Sequence, residues 1–153
     1  MVHLDGKQFF IDKNGNKVLE PECDNCISGD KFSDGLIKIT INRKDGYMNK
    51  EGVIIIKPKY EFAQDFSEGV ARVSTFNEYD NSTHFIDKTG KVILTMHDLP
   101  NNYSDGLARV YTFGTVLKSH YINKKGDIII EQMPYYTGDF SEGLAPVAVY
   151  VDD

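Results

Sequence analysis

The chain has 153 residues, 41% hydrophobic and 26% charged, the balance of one folded domain with a buried core rather than of a disordered segment. Its 17 basic and 23 acidic residues leave a net charge of −6, the wrong sign for a nucleic-acid-binding face and repulsive to an anionic membrane. No apolar run approaches the roughly 18 to 20 residues that span a bilayer. The opening Met1-Val2-His3-Leu4-Asp5-Gly6 lacks the basic and apolar regions of a signal peptide. A cytoplasmic location is the expectation, or an extracytoplasmic one if a leader preceded the chain.

The first element is a strand at Gln8-Phe9-Phe10-Ile11, running into Asp12-Lys13-Asn14-Gly15. An Asx side chain at the start of such a loop binds backbone amides two residues on, and the glycine accepts a left-handed conformation, so the chain folds back as a hairpin over 8–19. The connector 20–31 carries Cys23 and Cys26. That spacing suits a redox pair or half of a metal site, but His3, His84, His97 and His120 are scattered and offer no second ligand pair. Aligned on Pro21 and Pro58, Cys23 takes the place of Tyr60 and Cys26 that of Ala63, so both are expected to be buried free thiols, with no metal.

Phe32-Ser33-Asp34-Gly35-Leu36-Ile37 then leads into Ile37-Lys38-Ile39-Thr40-Ile41, an alternating half-buried strand over 36–41. Both elements recur. The hexad returns at Phe66-Ser67-Glu68-Gly69, Tyr103-Ser104-Asp105-Gly106 and Phe140-Ser141-Glu142-Gly143, its glycines 34, 37 and 37 residues apart. The hairpin returns over 46–56, 84–94 and 120–130, with Asn49, Asp87 and Asn123 in the place of Asp12. Two markers in register define a repeat protein. Strands follow the hexads at 70–74, 107–112 and 144–150, and β-branched residues dominate throughout. The expected class is therefore all-β, one domain over 1–153, built of four three-stranded antiparallel repeat units of about 37 residues. At most a helical turn fits a connector such as Glu61-Phe62-Ala63-Gln64. The chain begins with a hairpin and ends with the strand that elsewhere precedes one, so the C-terminal strand is expected beside residues 8–11, closing a propeller-like or barrel-like ring. An open β-repeat array is the alternative.

These motifs resemble the WG-repeat family of bacterial β-repeat proteins, whose unit is carried here by Gly46-Tyr47-Met48-Asn49, Gly52, Ile55-Ile56, Pro58, Tyr60, Ala63, Phe66, Gly69-Val70-Ala71 and Val73. The chain departs from the family in having no Trp, so Tyr47, Phe85 and Tyr121 are expected to fill that space. The resemblance implies a scaffold without a catalytic signature. The shorter hairpin repeat of cell-wall-binding proteins resembles it less closely, because its period is about half as long.

The repeated Ser33, Ser67, Ser104 and Ser141 invite a nucleophile reading, but no copy is distinguished by a base, and they read as turn residues bonded to nearby amides. Asp34, Glu68, Asp105 and Glu142 read as a solvated edge, and His84 and His120 as packing or surface residues. Function on a repeat scaffold falls where loops vary, here 42–45, 76–83 and 113–119. Arg72, Phe76, Tyr79, Arg109, Tyr111 and Phe113 are the candidate ligand-binding residues, with no catalytic or metal-binding residue and no cofactor. The expected protein is a monomeric, non-enzymatic scaffold binding a protein, peptide or small ligand, with no nucleic acid and no membrane insertion. A cell-surface carbohydrate-binding module, or an enzyme or sensor with a site in a central channel, are the alternatives.

Overall fold

The structure, a computed structural model, describes residues 2–4, 7–76, 82–112, 118–133 and 136–148. Every regular element among them is a strand, in several small antiparallel sheets. The first holds β1 (Val2–Leu4), β2 (Lys7–Ile11) and β3 (Lys17–Leu19), and the second β4 (Leu36–Ile41), β5 (Lys44–Asn49) and β6 (Ile54–Tyr60). The third holds β7 (Phe62–Ala63), β8 (Val70–Ser74), β9 (Thr83–Asp87) and β10 (Val92–Met96). The fourth has β11 (Leu99–Pro100), β12 (Ala108–Thr112), β13 (Lys118–Ile122) and β14 (Ile128–Met133), and the last pairs β15 (Tyr136–Thr137) with β16 (Val147–Ala148). The sheets are thus not four alike. The connector 61–64, where at most a helical turn was expected, contains β7, whose Ala63 pairs with Val73, and the adjacent Gln64 N–H donates to Arg72 O at 2.9 Å.

Adjacent repeats share the three middle sheets, because the strand after a hexad pairs with the next repeat's hairpin, as from Val70↔Asp87 to Ser74↔Thr83. The hairpin loops form as their sequence dictates: Asp12 Oδ1 accepts the Asn14 and Asn16 amides at 2.8 and 2.9 Å, and Asn49, Asp87 and Asn123 do the same in their own loops. The hexads are type I′ turns, which need two successive left-handed residues. Asp34 (φ 52°) and Gly35 (φ 86°) supply them in the first copy, and Glu68 (φ 53°) and Gly69 (φ 85°) in the second.

These turns stack into a column. The Ser33, Ser67 and Ser104 hydroxyls do not bond nearby amides; they donate to the carbonyls of Phe66, Tyr103 and Phe140 in the following repeat, at 2.5, 2.8 and 2.6 Å. Asp34, Glu68 and Asp105 are not merely a solvated edge either. Their carboxylates accept the amides of Gly69, Gly106 and Gly143, the first and last at 2.6 and 2.7 Å and the second at 3.0 and 3.1 Å to its two oxygens. The sequence pattern conceals this because the partners are 33 to 38 residues apart.

The core lies between the sheets, where each hairpin aromatic meets its hexad aromatic. Ring centroids are 5.0 Å apart for Phe10–Phe32, 4.7 Å for Tyr47–Phe66, 4.8 Å for Phe85–Tyr103 and 5.0 Å for Tyr121–Phe140. Tyr47 also donates its hydroxyl to Gln64 O, and burial raises its pKa well above that of an exposed phenol. Burial likewise pushes Tyr103 up to about 12.

Two further expectations fail. The strand beside residues 8–11 is β1, paired as Val2↔Phe9, His3↔Gln8 and Leu4↔Lys7, while β16 pairs with β15. Among the described residues no strand pairing closes a ring through that edge. The physical reason is proximity: the short link from β1 to β2 closes with far less chain entropy than a strand from the opposite end. Cys23 and Cys26 are not free thiols but a disulfide, with Cα atoms 5.6 Å apart. Left-handed Asn25 (φ 49°) folds the intervening residues into a tight turn. Cys26 does occupy a packing position, against Ile27, Ile37, Ile39 and Met48.

Candidate interaction surface

The second strand of every hairpin, β3, β6, β10 and β14, lies at an edge of its sheet. Each carries one inward aliphatic, and three of these cover the next repeat: a Cβ placed on Gly52, Gly90 or Gly126 would lie 2.9, 3.4 or 3.0 Å from Leu19, Ile56 or Leu94. The residues before them point outward. Val18, Ile55, Ile93 and Ile129 stand at one equivalent position, and Ile54, Val92 and Ile128 at the position before it, all between 38% and 61% exposed. Exposed aliphatic residues that recur at the same strand positions in every repeat are the candidate interaction surface.

Ile54 borders two open clefts. One, of about 510 Å³, continues to Leu19 and is rimmed by Glu20, Glu22 and Glu51; the other, of about 530 Å³, is rimmed by Lys44 and Lys57 beside Ile41 and Pro58. Glu20 is engaged by Lys7 and Lys17, and Lys44 by Glu61, whose pKa that contact lowers. Glu22, Glu51 and Lys57 have no ionic partner among the described residues. The surface around Ile54 is therefore apolar in the middle, acidic on one side and basic on the other.

Arg72 and Arg109, two of the residues singled out from sequence, belong to a series of struts with Lys38. Lys38 Nζ donates to Ala63 O at 3.3 Å and Arg72 Nη1 to Pro100 O at 2.8 Å, each reaching the next repeat's connector. Arg72 also meets Gln64 Oε1 at 3.2 Å and the Phe62 ring at 5.0 Å, and burial lowers its pKa. Arg109, 6% exposed, lies over Tyr111 at 4.8 Å and Tyr136 at 5.8 Å, with Nη2 3.3 Å from Asp139 Oδ1. Its Nε and Nη1 are buried without a hydrogen-bond partner. The structure thus joins Arg109 to Tyr111 and adds Tyr136 and Asp139, which sequence reasoning missed. Arg72 sits in a different environment, and Phe76 is 56% exposed with no ring contact to either arginine among the described residues. Tyr79 and Phe113, with most of loops 76–83 and 113–119, lie outside the described residues.

No group of three or more His, Cys, Asp or Glu suited to a metal occurs among the described residues. His84 Nδ1 lies 2.9 Å from Thr95 Oγ1 and His97 Nδ1 3.4 Å from Ser82 Oγ, but neither imidazole has a carboxylate partner among those residues. His120 is buried with Nδ1 unpartnered.

The aliphatic surface had a sequence signal. Val53-Ile54-Ile55-Ile56, Val92-Ile93-Leu94 and Ile128-Ile129-Ile130 are unbroken apolar runs, whereas an edge strand with one buried face alternates.

Stacked turns, shared sheets and a recurring aromatic pair define a β-repeat protein. The sequence matches the WG containing repeat family over residues 9–44, 46–79 and 121–149, well over half of the chain, and the protein belongs to that family. No curated protein and no solved structure matches it. The repeat between the second and third matched segments keeps the same turn, with Asp105 at φ 51° and Gly106 at φ 79°.

Proposed function

We propose that this protein is a non-catalytic scaffold that docks a polypeptide partner on the aliphatic surface of its hairpin edge strands. The observation that carries the reading is the periodic exposure of Val18, Ile55, Ile93 and Ile129, one per repeat. Edge strands also leave backbone donors and acceptors free for an added strand. The rim charges choose among partners: Glu22 and Glu51 favour a basic residue at one side of an apolar segment, and Lys57 an acidic one at the other. The test is a capture from native lysate with the intact protein and with I55E/I93E/I129E, after both are shown to melt alike. A partner held by the intact protein and lost by the triple variant supports the reading. A partner held equally by both places recognition elsewhere, in the variable loops.

A second reading rests on Arg109. Leaving two guanidinium donors buried and unpaired costs about 1–3 kcal/mol each, which a carboxylate inserted between Tyr111 and Tyr136 recovers. Tyr136, 58% exposed, is the side of that cradle free to turn away. Titration with benzoate, followed by the Arg109 Nε–H resonance, shifts that signal under this reading and leaves it unmoved otherwise.

A further inference from the structure

Each internal junction uses the same contacts: a turn carboxylate on the next Gly N–H, a turn Ser hydroxyl on the next aromatic's carbonyl, and a hairpin glycine under the preceding aliphatic. At two of the three junctions a hairpin lysine adds to the set. Lys124 lies 5.9 Å from the Tyr103 ring centroid and 3.3 Å from Glu68, and Lys50 lies 6.0 Å from the Phe32 ring. At the C-terminal end, one half of every contact is present without the other. The Ser141 hydroxyl and Glu142 carboxylate have no partner among the described residues, and Leu144 is 77% exposed. Ile130, Phe140 and Leu144 line an apolar cleft of about 170 Å³.

The N-terminal repeat holds the missing halves. The Gly35 N–H and the Phe32 carbonyl make no hydrogen bond among the described residues, and nothing lies within 4 Å of a Cβ built on Gly15. Lys13 stands where Lys50 and Lys124 stand in later repeats. The strand edges match as well. Gly138 N–H donates to Pro146 O at 2.8 Å, so Pro146 presents its donorless nitrogen to β15, and alternation turns the N–H and C=O of Ala145 and Val147 to the open side. Just after β2, Asp12 N–H donates to Asn16 O at 2.9 Å on the β3 side, which turns Ile11 to the other edge. There β1 pairs only with residues 7–9.

We propose that the C-terminal repeat binds the N-terminal repeat of a second copy of this chain, head to tail. Glu142 accepts the Gly35 N–H of that copy, Ser141 donates to its Phe32 carbonyl, Ile130 covers its Gly15, and its Lys13 reaches Phe140 and Asp105. Ala145 pairs with its Ile11, the part of that edge which β1 leaves open. The two surfaces differ, so association propagates instead of stopping at a symmetric dimer.

The test is sedimentation of the full chain over a dilution series, with zero-length carbodiimide cross-linking of an equal mixture of ¹⁴N and ¹⁵N protein. The expected result is a mass that rises with concentration and mixed-isotope cross-links from Lys13 to Glu142 or Asp105. L144E, at a site already in solvent, and A145P, which removes an outward N–H, keep the melting temperature but stay monomeric. A full chain that is monomeric at every concentration overturns the proposal. So does an oligomer that survives both substitutions, or one cross-linked only between identical ends.

Discussion

Leu36 and Val70 are each 7% exposed, and Leu144, the residue in the same place of the fourth turn, is 77% exposed. Composition does not separate them, since two are leucines after the same Asp/Glu-Gly pair. What separates them is the neighbour. Leu36 packs in the cluster that includes Phe66 and Ile86, and Val70 in the one that includes Tyr103 and Ile122, whereas no later repeat covers Leu144 among the described residues. Burial here is a property of a junction rather than of a repeat, as expected where stability is a sum of nearest-neighbour terms.

The largest test of that contrast removes the aromatic at an internal junction and at the end. Phe66→Ala, at a site 2% exposed and against Tyr47 and Ile86, costs about 3–5 kcal/mol by chemical denaturation. Phe140→Ala, half-buried, costs less than half of that. Equal losses break the comparison.

A second substitution probes packing inside one sheet. A Cβ on Gly46 would sit 2.4 Å from Ile56 O and 2.7 Å from Pro58 N, and both are backbone atoms that cannot swing aside. Gly46→Ala therefore costs about 2–3 kcal/mol in the midpoint of urea unfolding. Gly69→Val and Gly106→Val lose less. Nothing lies within 4 Å of their Cβ positions, so the cost is the left-handed backbone alone, at φ 85° and 79°, about 1–2 kcal/mol each. Unchanged melting in both would show the turn to be mis-assigned.

The smallest effect is on pH dependence. Asp12 and Asp87 have lowered pKa values, chiefly from side-chain hydrogen bonds with Asn16 and Thr89, while Asn49 and Asn123 do the same work without titrating. A folded-state pKa below the unfolded value stabilises above about 3.8 and is lost as pH falls through the folded value. D12N/D87N should leave neutral stability almost unchanged and flatten the fall below about pH 4, read from melting temperature. An unaltered acid limb shows that these two loops carry no linkage.

The repeat and the all-β class were legible because they rest on local chemistry: Gly at left-handed positions, Asx at loop starts, and alternation in strands. The joints were not. That Ser33 reaches Phe66, or Asp34 reaches Gly69, depends on how one turn sits on the next, and a serine in a turn has equally good local partners. Ring closure was misjudged for the same reason, since complementary ends do not reveal that residues 2–4 cover one of them first. At the candidate surface, Arg72 and Arg109 stood out by charge, whereas Ile55, Ile93 and Ile129 sit in unbroken apolar runs that do not say which residue faces out.

The central claim is an open column of turns joined from one repeat to the next, and native-state hydrogen exchange at four glycine amides tests it most directly. In dilute solution the amides of Gly69, Gly106 and Gly143, each bound by the preceding carboxylate, should exchange slowly, and that of Gly35 close to the rate of a free chain. Protection of Gly35 that appears only as concentration rises marks head-to-tail contact between copies. Protection of Gly35 equal to the other three at every concentration would mean that Glu142 reaches it within one molecule, and would contradict the open array.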